Sequence, residues 1–159
     1  MWYSKRMENA ELNNKIHLNL AKSYSIHFVF LLFGIVLDLL IPIRIFHNPA
    51  VITLGLFLLV LATVLIFWAQ RTTRNLHINE SLSKEAFEHG PYKFTRMPTH
   101  AGLFVLILGF GIIVNAFFVV LTTILSFLFC KISFLKKYEE ALVEKYGESY
   151  AAYKKEVRL

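Results

Sequence analysis

Residues 101–130 read AGLFVLILGFGIIVNAFFVVLTTILSFLFC, thirty positions without a charge. Uncharged apolar runs of about 18 residues or more read as membrane-spanning helices. As one helix this run would be about 45 Å long, at 1.5 Å per residue. A hydrocarbon core is only about 30 Å thick, so the run is too long for a single span. A tight hairpin turning near Asn115 removes the excess, with arms at roughly 99–114 and 116–131. Gly102 and Gly109 fall seven residues apart on one helical face, where they would let the two arms pack closely.

Working outward, two more apolar blocks precede the hairpin. Residues 26–43 contain Asp38 as their one charge, and residues 51–69 contain none. These predict spans at about 25–43 and 50–69. Over the 159 residues, 56% are apolar and 18% charged, whereas soluble domains carry about a quarter charged residues. The expected fold class is therefore all-α. It is a polytopic integral membrane protein with two N-terminal transmembrane helices, a helical hairpin at 99–131 and a C-terminal amphipathic helix at 134–157. One domain spans 1–159. The first 25 residues are polar and mixed in charge, so the first apolar run reads as an anchor rather than a cleaved signal. Cys130 is the single cysteine, which excludes an internal disulfide framework and a cysteine-clustered metal site. It reads as an inert membrane-helix residue. His77, His89 and His100 are spaced twelve and eleven apart, which is no metal-ligand pattern, so no metal is expected.

The basic residues give the orientation. Lys5, Arg6, Lys15 and Lys22 precede the first span, and Arg71, Arg74, Lys84, Lys93 and Arg96 lie between the second span and the hairpin. Seven more lysines and arginines follow Cys130, while the connection at 42–50 holds Arg44 alone. The positive-inside rule then puts the N-terminus, central loop and tail on the cytoplasmic side. A hairpin returns the basic tail to that side, which a single thirty-residue helix would not. The net charge of +6 is explained by flanking positions that meet anionic lipid headgroups. Membrane lipids are the expected partners, and nucleic acid is not. Asp38 lies near the outer end of its span, where exposure to solvent or pairing with Arg44 is expected.

The central loop and tail carry the chemistry. Residues 80–98 are polar up to Gly90-Pro91, a strong breaker, and continue as Tyr92-Lys93-Phe94-Thr95-Arg96. In the tail Leu135, Tyr138, Leu142, Tyr146, Tyr150, Tyr153 and Val157 recur every three or four residues. This predicts an amphipathic helix at the membrane interface, its tyrosines at headgroup depth, interrupted at Gly147.

Two stretches are familiar. Glu88-His89-Gly90-Pro91-Tyr92-Lys93-Phe94-Thr95-Arg96-Met97-Pro98-Thr99-His100-Ala101-Gly102 resembles the G-P-Y-R-[YF]-x-R-[HN]-P-x-Y-x-G signature of small membrane methyltransferases. These are the isoprenylcysteine carboxyl methyltransferases and their phospholipid methyltransferase relatives. The tail from Glu139-Glu140 through Tyr146-Gly147 to Tyr150 and Tyr153 resembles their second signature, E-E-x-x-L-x-x-x-F-G-x-x-Y-x-x-Y. Together the two cover about the last 70 residues. This chain has Met97 where the family has His or Asn, and His100 where it has Tyr. Its glutamate pair sits one residue closer to the glycine, so Glu139 aligns with the second family Glu and Tyr138 takes the place of the first.

The resemblance implies S-adenosylmethionine as cofactor and methyl transfer to a lipophilic small-molecule or lipid-modified acceptor. A prenylcysteine carboxylate, a phospholipid amine and a thiol all remain open. By the resemblance, cofactor contacts fall on Glu85, Ala86, Phe87, Tyr92, Met97, Pro98, Thr99, His100 and Glu139, and catalytic roles on Arg96 and Glu139. Tyr92 and Phe94 offer aromatic faces to a sulfonium cation, and Arg96 suits a carboxylate. Two other readings compete. One is a non-catalytic membrane relative with a degenerate cofactor site. The other is an NADPH-dependent sterol reductase, whose C-terminal signature is similar but whose chains are usually much longer. Nothing in the sequence indicates an oligomeric state.

Overall fold

The computed structural model of the chain describes residues 2–78 and 90–157. Among them every regular element is helical: α1 (Trp2–Leu40), α2 (Ala50–Ile78), a 3-10 turn (Gly90–Lys93), α3 (Pro98–Val114), α4 (Phe117–Ser133), α5 (Leu135–Tyr146) and α6 (Glu148–Glu156). The helices form an arc rather than a closed ring. α2 packs on α3, α3 on α4, and α4 on α1, so α1 and α2 lie at its two edges.

Both edge helices are long and apolar enough to cross a bilayer. They also turn large apolar side chains outward, including Phe28, Val29 and Phe33 on α1 and Phe57, Val60, Val64 and Phe67 on α2. In water such faces would be unstable, so lipid is their solvent. The protein is an integral membrane protein. α3 and α4 have 17 residues each, roughly 26 Å at 1.5 Å per residue, somewhat short of a full hydrocarbon core.

The turn between them is where the sequence places it. Asn115 adopts the left-handed conformation at the end of α3 (φ 57°), which asparagine tolerates better than most residues. Its side chain then fastens the turn to the α1–α2 connection. Oδ1 accepts the Ile45 and Phe46 amides at 3.0 and 2.9 Å, and Nδ2 donates to the Phe46 carbonyl at 2.8 Å.

Asp38 corrects the expectation placed on it. It is not paired with Arg44. Its carboxylate accepts the Phe118 and Val119 amides at 3.2 and 2.9 Å, at the first turn of α4. A carboxylate is favoured there because the exposed amides and the helix dipole both present positive charge. Arg44 does the converse and donates to the Val114 carbonyl at the end of α3, at 2.9 Å.

The glycines also act differently from expectation. A side chain on Gly102 would run into Ile66, and one on Gly109 would lie 3.0 Å from the Gly55 carbonyl. Both therefore bring α3 against α2 instead of joining the hairpin arms. Gly111 is the glycine that faces α4, against Val119 and Val120.

α1 begins far earlier than the predicted span, and its polar half has a purpose. Ile16 and Leu20 pack with Ala141, Leu142, Tyr150 and Tyr153 of the tail. Lys145 Nζ also donates to Asn13 Oδ1 at 2.6 Å. The tail is interrupted at Gly147 (φ 59°), and α5 departs from α4 at a bend of 44°. Two of its tyrosines face protein rather than solvent. Tyr150 and Tyr153 are 2% and 1% exposed, buried against α1. A helix segment that is polar by composition can still supply a packing stripe, and buried aromatic rings contribute large apolar area to it.

Candidate functional site

The tail, the 3-10 turn and the start of α3 meet at the end of the arc opposite the hairpin turn. Gly90 opens the 3-10 turn at φ 70°, and a side chain there would strike Thr72 of α2; glycine meets both demands. Tyr153 then clamps the turn by donating its hydroxyl to the Tyr92 carbonyl at 2.6 Å. Pro98 occupies the first turn of α3, where its missing N–H costs nothing. Thr95 Oγ1 accepts the Met97 amide at 3.3 Å.

These devices frame a cleft of about 560 Å³ between the edge helices, above the start of α3. Tyr92, Arg96, Met97, Pro98, Thr99 and His100 line it. The structure thus brings together on one wall all the described residues assigned to the site by resemblance except Glu139. Glu85, Ala86 and Phe87 lie outside the described residues. Phe94 does not join the wall; it is 71% exposed and turned outward.

Glu139 sits behind Arg96, buried, and its two oxygens are taken by Arg96 Nη1 and by Lys154 Nζ, the latter at 2.6 Å. It is therefore an anchor for Arg96 rather than a free acceptor for a ligand's ammonium. Glu140, one position on, is exposed. Arg96 keeps its Nε without a hydrogen-bond partner among the described residues. Arg96 also lines the cleft, where a guanidinium can meet a carboxylate.

Sequence reading missed the other wall. His17, Leu20 and Tyr24 of α1, Gln70 of α2 and Tyr138 of α5 complete the cleft. Tyr138, at the position of the missing family glutamate, is a wall residue. Burial and the neighbouring tyrosines push its hydroxyl well above the ordinary range, and burial with the nearby Glu139 does the same for Tyr150. Both remain neutral hydroxyls at physiological pH. Behind His100 lies a buried polar group of Ser23, His27 and Cys130. Cys130 takes part in this group from α4. Its Sγ lies 3.4 Å from His27 Nδ1, and His27 Nδ1 lies 3.0 Å from the Ser23 carbonyl. Ser23 and His27, four apart at the start of an apolar run, were the available signal.

Fold and cleft together define an integral membrane protein with a polar, aromatic-walled cleft between α1, α2, the start of α3 and the tail. A family profile described as phospholipid methyltransferase matches residues 50–149. The chain belongs to the phospholipid methyltransferase family. The match runs from the start of α2 into α6 and leaves α1, with its share of the cleft wall, outside. Neither a curated protein nor a solved structure matches the chain significantly.

Proposed function

We propose that this protein transfers a methyl group from S-adenosylmethionine to the amine of a phospholipid headgroup. The observation that carries the reading is the cleft itself. It joins the signature residues Tyr92, Arg96, Met97, Pro98 and Thr99 within a membrane protein of this family.

The residues fit the cofactor. The cleft volume of about 560 Å³ falls within the range of about 300–1,000 Å³ usual for small-molecule sites. Arg96, steadied by Glu139, meets the carboxylate. Tyr92, Tyr24 and Tyr138 supply faces for a sulfonium and a purine. When bound, the cofactor supplies a methyl carbon already activated for displacement. The protein's task is then to align the acceptor in line with it and to exclude water. Among the acceptors left open by the sequence, the family match favours the phospholipid amine. The basic residues flanking the spans support a cytoplasmic setting for the chain ends and the cleft.

Calorimetric titration of S-adenosylmethionine into detergent-purified protein tests the reading. Micromolar binding that weakens at least tenfold in Tyr92→Ala and Arg96→Ala is expected. A folded wild-type sample that takes up none would overturn it.

A further inference from the structure

We infer that His100 is the proton acceptor for an amine-headed acceptor, standing where the cleft meets a second, smaller cavity. The inference rests on the reading proposed above and adds the group that makes the acceptor nucleophilic.

The second cavity, of about 40 Å³, lies between α3 and α4 beside Thr95, Ala101, Phe127, Cys130 and Lys131. A single water needs about 10–15 Å³ of such space, so the cavity holds an amino group and not a whole headgroup. Met97 and His100 line both this cavity and the cleft. A methyl group passing from one to the other passes His100.

The imidazole is 7% exposed and held in place. Its Nδ1 lies 3.4 Å from Ser23 Oγ, and the Tyr24 and His27 rings flank it at 5.1 and 5.7 Å. Its Nε2 has no hydrogen-bond partner among the described residues. In the tautomer that donates Nδ1–H to Ser23, Nε2 presents a lone pair. A buried imidazole nitrogen without a partner calls for an explanation, and a proton to collect is one.

The chemistry requires such a group. At neutral pH an alkylamine is an ammonium and has no lone pair with which to attack. The ammonium proton passes to His100 Nε2. The freed lone pair forms the carbon–nitrogen bond while the methyl–sulfur bond breaks, leaving its electron pair on sulfur. The imidazolium then returns its proton to water in the cleft.

Other groups around the ring do not serve. From α1 it is faced by His17, Tyr24 and His27, and from the segment before α3 by Tyr92 and Arg96. From α4 come Cys130 and Lys131, and from α5 Tyr138. His17 lines the cleft without reaching the small cavity, and Glu139 is held by two cations. Arg96 and Lys131 both disfavour a further positive charge nearby. They act alike on the ammonium before the proton moves and on the imidazolium after it, so the proton does not rest on the ring.

The test uses the full chain in nanodiscs containing phosphatidylethanolamine. Methyl transfer is followed from pH 5 to 9 for wild type, His100→Gln and Ser23→Ala, and S-adenosylmethionine affinity is measured on each by calorimetry. Wild type should show a rate that rises with pH through one ionisation. His100→Gln should lower kcat on the order of 10²-fold near neutral pH and lose less toward pH 9, where more of the amine is free without help, while cofactor affinity changes less than tenfold. Ser23→Ala, which retains the imidazole, should keep the rise and shift its midpoint. An equal loss at every pH would overturn the inference and leave His100 a packing residue. Absence of cofactor binding in wild type, read before any transfer is assayed, would instead remove the reading on which it rests.

Discussion

At the hairpin turn Asp38, Arg44 and Asn115 satisfy the backbone groups of two helix ends and of the connection beside them. At the opposite end of α3, Arg96 Nε, His27 Nε2 and His100 Nε2 are buried without hydrogen-bond partners among the described residues. Both ends place polar groups near or within an apolar surrounding, where an unsatisfied group costs about 1–3 kcal/mol. The turn avoids that cost and so reads as structure. The cleft end bears it, which is what a site awaiting a ligand would do. Removing a side chain at one end should therefore change stability alone, and at the other should change binding as well.

Arg96→Ala should give the largest effect. It leaves Glu139 buried with Lys154 as its remaining ion-pair partner among the described residues, and breaking a buried ion pair costs on the order of 3 kcal/mol. Thermal melts in detergent should show the loss, and calorimetry should show cofactor binding weakened at least tenfold. If the binding loss vanished while the destabilisation remained, the distinction between the two ends would fail.

Gly109→Val comes next. The added side chain meets the Gly55 carbonyl and Leu58 across the α2–α3 contact, and overpacking of this kind costs about 1–3 kcal/mol. The melt should fall, and the loss should be larger than for Gly109→Ala.

How much of this was legible in advance depended on the type of signal. Length, apolar runs and Asn115 reveal the hairpin because bilayer thickness is an external ruler. The cleft wall on α3 is legible through contiguous motif residues from Tyr92 to His100. The α1 wall is not, because His17, Leu20 and Tyr24 reach the site only through packing of a polar half-helix against the tail. Asp38 was misread for a related reason. Its nearest charge in sequence is Arg44, yet its partners are amides eighty residues away. The glycines of α3 show the same limit: spacing gives a shared face, but not which neighbour that face meets.

Asp38→Asn sharpens the comparison from the structural end. It keeps an acceptor at the first turn of α4 but removes the charge that the helix dipole favours, at a cost of about 1 kcal/mol. Thermal melts should register this while cofactor affinity stays at the wild-type value; a change in affinity would show the two ends to be coupled.

Tyr153→Phe tests a milder link at the cleft end. Losing the hydrogen bond to the Tyr92 carbonyl should cost about 1 kcal/mol and weaken cofactor binding a few-fold in the same titration. The tail should also respond to alkali. The folded state holds the hydroxyls of Tyr138, Tyr150 and Tyr153 above their ordinary range, chiefly by burial. Their contribution is therefore complete below about pH 10, the unfolded value, and declines as pH rises toward the folded values. Near-ultraviolet circular dichroism of the tail tyrosines should stay constant to pH 9 and then fall.

Transfer of a tritiated methyl group from S-adenosylmethionine to phosphatidylethanolamine in nanodiscs tests the central claim most directly. Label should enter the lipid extract with wild type, and should fall at least tenfold with Tyr92→Ala and Arg96→Ala. A folded protein that binds the cofactor yet leaves the lipid unlabelled would contradict the account, as would full transfer by either variant.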